Sequence, residues 1–83
     1  MKRTEVEELV RGIFQVALQR VVPPGQDVAL ENEPDWDSVK QVELLFLLEE
    51  AVGFNFLEDE MDDLTSLSGA VNRVLARTQP IHS

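Results

Sequence analysis

The chain has 83 residues, of which 16 are acidic, 7 are basic and none is cysteine, giving a net charge of −9 at pH 7. A chain of this length is expected to form one domain over residues 1–83, burying about 60% of the surface it exposes when unfolded. Neither a disulfide nor a thiolate metal site can brace it, and its charge argues against nucleic acid or anionic membrane as partners, because phosphates are repelled.

The first helix is expected to begin at Thr4. Thr4 and Glu7 have capping-box spacing, each able to satisfy a free backbone N–H at the helix start. Val6, Leu9, Val10, Ile13, Ala17 and Val21 recur every three or four residues and form one apolar face. Pro23-Pro24-Gly25 is expected to end the helix. Residues 22–37 then show no helical period. They hold three of the four prolines and several acids but no base. Val28 and Leu30 alternate with polar neighbours and are expected to enter the core from irregular backbone. A loop this long in a small domain is often functional.

The second helix is expected from Asp37-Ser38 to about Val52. Asp and Ser are both good N-caps, Ser38 and Gln41 again have capping-box spacing, and Gly53 is a natural stop. The acidic run from Glu58 to Asp63 is expected to hold a short helical turn or two. A last helix begins near Ser66 and presents Leu67, Ala70, Val71, Val74 and Leu75 on one face, with residues 78–83 as a frayed tail. The chain therefore reads as all-α: a four-helix bundle of three longer helices and one short one, with a long loop between the first two.

The chemical inventory is narrow. The one histidine, His82, lies next to the end of the chain. A hydrolytic triad or zinc site needs a base or ligands held rigidly in a pocket, so neither an enzyme nor a metal site is expected. Lys2-Arg3 is followed at once by acidic residues, so no apolar signal segment follows. The longest apolar run, Leu44-Leu45-Phe46-Leu47-Leu48, is five residues, far short of the roughly 18 that span a membrane. A monomeric cytoplasmic protein with no membrane insertion is expected.

Charge is unevenly placed. Residues 21–63 hold thirteen acids and a single base, Lys40, whereas the flanks hold six bases and three acids. Within that acidic segment the second helix is unusual. At 100° per residue, Leu44, Leu45, Leu48 and Val52 face one way, towards a core. Val39, Glu43, Phe46 and Glu50 form a stripe on the opposite side. Two readings are open. Either the bundle surrounds the helix and buries Val39 and Phe46, or the stripe docks basic partners, with apolar contact for affinity and carboxylates for steering. Ser38 also has two readings. It is a plain N-cap, or its hydroxyl is an attachment point for a phosphate, favoured by the free N–H groups and positive dipole end of the helix.

Asp37-Ser38-Val39, followed by Val42-Glu43-Leu44 and Leu48-Glu49-Glu50, resembles the acyl carrier protein family. The likeness continues in register through Phe56, the acidic run, Leu64-Thr65-Ser66-Leu67 and Val71, covering residues 4–77. It implies a four-helix bundle in which Ser38 carries 4′-phosphopantetheine, donated by coenzyme A through a phosphopantetheinyl transferase. The arm supplies a thiol that holds acyl groups as thioesters, which suits a chain without cysteine. The resemblance places partner docking on the second helix, here at Asp37, Val39, Glu43, Phe46 and Glu50. The partners would be acyl-transferring, acyl-activating or synthase enzymes with basic docking surfaces. The apolar interior shelters the acyl chain in some members. The chain departs from the fatty-acid carriers at Val39, where Leu is usual, at Lys40, often acidic, and at Trp36, usually small. Phe54 and Phe56 also add bulk after the second helix. Trp36-Asp37-Ser38 looks more like carriers of polyketide, nonribosomal-peptide and aminoacyl pathways, so a dedicated stand-alone carrier is expected.

Two other readings compete. A small acidic helical adaptor would dock basic proteins with no cofactor and use Ser38 only as a cap. A calcium module would use the run Glu58–Asp63, but a calcium loop needs a glycine at its sixth position, and none falls there. That run is expected to be a solvated acidic face.

Overall fold

A computed structural model describes residues 2–78, so His82 and the expected tail after Thr78 lie outside the described residues. The chain is all-α. Helix α1 spans Arg3–Leu18, α2 Ser38–Val52 and α3 Leu67–Thr78, and a 3-10 helix at Glu58–Thr65 completes the four. A single 3-10 turn, Leu30–Asn32, interrupts the connection between α1 and α2. Helix α1 packs against both α2 and α3, and α3 also packs against the 3-10 helix Glu58–Thr65. No helix among the described residues is long and apolar enough to cross a membrane.

The core takes side chains from every element. Val6, Val10 and Phe14 of α1 are fully buried with Leu44 and Leu48 of α2 and Ala70 and Val74 of α3. Leu9, Ile13 and Ala17, expected on the apolar face of α1, are only half-buried. Residues four apart drift by about 40° on a helix, so 6, 10 and 14 form a stripe beside 9, 13 and 17. Because α1 is packed by two helices, the first stripe lies deepest. Phe14 was absent from the expected face, and Val21, assigned to it, is 77% exposed.

The ends of α1 also differ from expectation. The helix starts at Arg3 with no side-chain cap. Glu7 pairs with Arg3, Nε to Oε1 2.9 Å, so its carboxylate does not close a capping box with Thr4. The C-terminus lies at Leu18, ahead of the prolines. Gln19 adopts a left-handed conformation, φ 57°, and donates its N–H to the Gln15 carbonyl. The Gln15 side chain then accepts from Val22 N–H at 2.9 Å and anchors the departing chain.

The connection to α2 is pinned rather than free. Val22, Val28 and Leu30 are buried. Arg20 clasps Glu33 with two hydrogen bonds of 3.1 Å. Asp27 Oδ1 accepts from the N–H groups of Val28 at 2.8 Å and Ser68 at 2.9 Å, while Oδ2 accepts from the Ser68 hydroxyl at 2.9 Å. These bonds, the backbone donation from Ser68 foremost, hold the Asp27 carboxyl below the usual carboxylate range. The Leu67 N–H donates to the Val28 carbonyl at 2.9 Å, so this segment is tied directly to the start of α3.

The acidic run is not uniformly solvated. Glu60 is only 5% exposed. Its Oε1 accepts from Leu57 N–H at 2.7 Å and from Arg77, and its Oε2 lies 3.5 Å from Arg73. Arg73 also bonds Asp63. Arg77 lies over the Phe54 ring, 4.5 Å from its centroid, and Phe54 meets Phe56 edge-to-face at 5.1 Å. Gly69 permits the tight approach of α3 to this helix: a Cβ there would lie 2.2 Å from the Asp63 carbonyl oxygen. Among the described residues no three His, Cys, Asp or Glu side chains gather as a metal-binding group. Ser66 caps α3 by accepting from Gly69 N–H at 3.0 Å. All five residues assigned to the α3 face are buried. Thr78, assigned to the tail, instead closes the helix, its hydroxyl donating to the Val74 carbonyl at 2.8 Å.

Candidate functional site

The start of α2 is built by Asp37, not by Ser38. Asp37 has extended backbone and is the N-cap, its Oδ1 accepting from Lys40 N–H at 2.9 Å. Two good caps stand side by side in the sequence, and the chain enters the helix after the first. The expected Ser38–Gln41 capping box does not form, because Gln41 Oε1 accepts from the Trp36 indole N–H at 3.0 Å. That bond ties the residue before the cap to the first turn of the helix. Ser38 is thus the first residue of the helix, exposed and without capping duty.

This arrangement offers a primary alcohol at the positive end of a 15-residue helix. Lys40, half-buried, follows two residues later and Asp37 precedes directly. An exposed hydroxyl here fits a covalently attached, phosphate-bearing arm, since helix N-termini favour anionic phosphate.

The face of α2 that continues from Ser38 is open. Val39 is 71% exposed, Val42 50% and Phe46 64%, and Glu43 and Glu50 are also exposed. The opposite face carries the fully buried Leu44 and Leu48, with Leu45 and Val52 half-buried. The bundle therefore does not close round α2, and of the two readings of the stripe the buried one is wrong. Val42 was not assigned to this face. Its signal was present in the spacing 39, 42, 46, three and then four residues apart. Val39, Glu43, Phe46 and Glu50 lie on one exposed face of α2, with Ser38 at its head and Asp37 as the cap before it.

Beside this face, α2 and the 3-10 helix enclose a cleft of about 280 Å³. Val42, Leu45, Met61 and Leu64 give it an apolar lining, and Gln41, Asp62 and Thr65 add polar groups. A second space of about 550 Å³ borders Trp36 and Lys40 and is lined by the Arg20–Glu33 pair. Comparison with protein-family models, with curated proteins and with solved structures finds no match to this chain.

Proposed function

We propose that the chain is a carrier of the acyl carrier type, in which Ser38 takes 4′-phosphopantetheine from coenzyme A. The observation that carries this reading is the placement of Ser38: exposed, relieved of capping by Asp37, and continuous with an apolar, carboxylate-bearing helix face. In this reading the arm supplies a thiol when attached, and the chain's own residues attach, present and dock it. Val39, Val42 and Phe46 supply apolar contact, and Glu43 and Glu50 steer basic enzyme surfaces. The cleft lined by Val42, Leu45, Met61 and Leu64 suits an apolar acyl chain. Trp36 and Lys40 beside Ser38 favour a dedicated carrier of a specialised pathway over a bulk fatty-acid carrier.

The test is direct. The chain is incubated with coenzyme A, magnesium and a broad-specificity phosphopantetheinyl transferase, then weighed by mass spectrometry. A gain of one phosphopantetheine that vanishes in Ser38→Ala supports the reading. No gain, or a gain that survives Ser38→Ala, leaves the cofactor-free acidic adaptor as the better account of the exposed stripe.

A further inference from the structure

A second exposed apolar surface lies between α1 and the C-terminal half of α2. It is an open groove of about 620 Å³. Leu9, Ile13 and Val16 line it from α1 and Leu47 from α2. Val16 is 65% exposed, one of the few large apolar side chains left so open to solvent among the described residues. Leu47 is nine residues beyond Ser38, about 14 Å along the helix, so this groove is removed from the attachment point. Glu50 is common to the groove and the α2 stripe, whereas Val39, Val42 and Phe46 are not part of the lining.

Gly12 is the unusual member. It stands inside the 16-residue helix α1, where glycine is less favourable than every residue but proline. Neither backbone nor packing demands it. Its φ is not positive, and a Cβ built there would meet nothing within 4 Å. Gly69 is the contrast, because there a Cβ collides with backbone. What Gly12 does provide is space: with Ala51 of α2 in the same lining, it leaves the groove unfilled.

We propose that this groove docks an amphipathic segment of a partner protein. Its apolar side chains would seat between α1 and α2, and its Lys or Arg residues would face Glu8 and Glu50. The charge selects this occupant. Both ionisable groups in the lining are exposed carboxylates, so a cationic segment is attracted. A second copy of the chain would bring another net −9 and the same two glutamates against them. The proposal does not depend on modification of Ser38 and is tested on the unmodified chain.

The isotope-labelled chain is titrated with an amphipathic helical peptide of Leu and Lys, and separately with a Leu and Glu peptide of the same pattern. The Leu/Lys peptide is expected to shift the amide signals of Leu9, Gly12, Ile13, Val16, Leu47 and Ala51, and the Leu/Glu peptide is not. Gly12→Leu should fill the groove and weaken binding by roughly tenfold or more, as loss of a central apolar contact does. Val16→Ser, at a position already 65% exposed, removes apolar contact without adding charge and should also weaken binding, without relying on the fold of the glycine variant. Glu8→Lys should weaken the Leu/Lys peptide and relieve the rejection of the Leu/Glu peptide. Shifts confined to Val39, Val42 and Phe46, affinity unchanged in both Gly12→Leu and Val16→Ser, or equal binding of the two peptides would overturn the proposal. So would a dimer of this chain that Gly12→Leu dissociates.

Discussion

Exchanging the two residues at the head of α2 for alanine, one at a time, separates capping from attachment. In Asp37→Ala the hydrogen bond from Lys40 N–H to Oδ1, 2.9 Å long, is lost, and with it an acidic group at the positive end of the helix. Loss of an N-cap costs about 1 kcal/mol, and the charge adds roughly 0.3–1 kcal/mol at low salt. For a domain of this size 1 kcal/mol corresponds to about 4–8 °C in Tm, so Asp37→Ala should melt about 5–16 °C lower. Ser38→Ala removes an exposed hydroxyl without capping duty and places a better helix former in the first turn. Its stability should stay within about 0.5 kcal/mol of the parent. Urea unfolding followed by circular dichroism measures both. In the same samples, phosphopantetheine loading should vanish in Ser38→Ala and persist, at a reduced rate, in Asp37→Ala. The reasoning is refuted if Ser38→Ala is the more destabilised variant. In that case Ser38 is the cap, and its hydroxyl is not at liberty to carry an arm.

Four further outcomes are expected. Glu60→Ala leaves the Arg77 guanidinium and the Leu57 N–H without their shared carboxylate. Breaking a buried pair costs about 3–5 kcal/mol, but both arginine side chains are about one-third exposed and Arg73 keeps Asp63. A loss nearer 2 kcal/mol should therefore appear in urea unfolding, and a loss below about 0.5 kcal/mol would place Glu60 in solvent. Asp27 has a depressed carboxyl pKa in the folded chain, so its stabilisation is present above the unfolded aspartate range and is lost as pH falls through the folded value. The stability gap between the parent and Asp27→Asn should be full near neutrality and shrink on acidification, and a gap independent of pH would show that the charge on Asp27 contributes nothing. Phe46→Ser, at a position 64% exposed, should leave the urea midpoint almost unchanged while slowing loading by the transferase. Glu43→Lys should slow loading most at low salt, where surface charges are least screened, and unchanged rates in both variants would remove the stripe as the contact face.

Local pattern made the helical architecture legible. In α3 the period of Leu67, Ala70, Val71, Val74 and Leu75 admits one buried face, and all five are buried. In α2, Leu44 and Leu48 point inward as the projection requires, and Gly53 ends the helix in a left-handed conformation at φ 81°. These properties depend on side chains a few residues apart, so the helical period carries them. Val28 and Leu30 were also legible as core residues of irregular backbone.

What the sequence alone determined was the all-α class, the main apolar faces and the presence of an Asp-Ser pair at the head of α2. Only the tertiary structure decided the rest, because each remaining property depends on groups distant in sequence or on how many neighbours a helix has. Phe14 became core because α1 is covered from two sides. Glu60 became buried because Arg73 and Arg77, 13 and 17 residues away, reach it from α3. Asp37 outcompeted Ser38 as the cap in a start of α2 where the Trp36 indole is tied to Gln41. Val39 and Phe46 stayed exposed because no helix among the described residues covers that side of α2. The stripe and the serine were visible as residues, but their freedom to act was a consequence of packing.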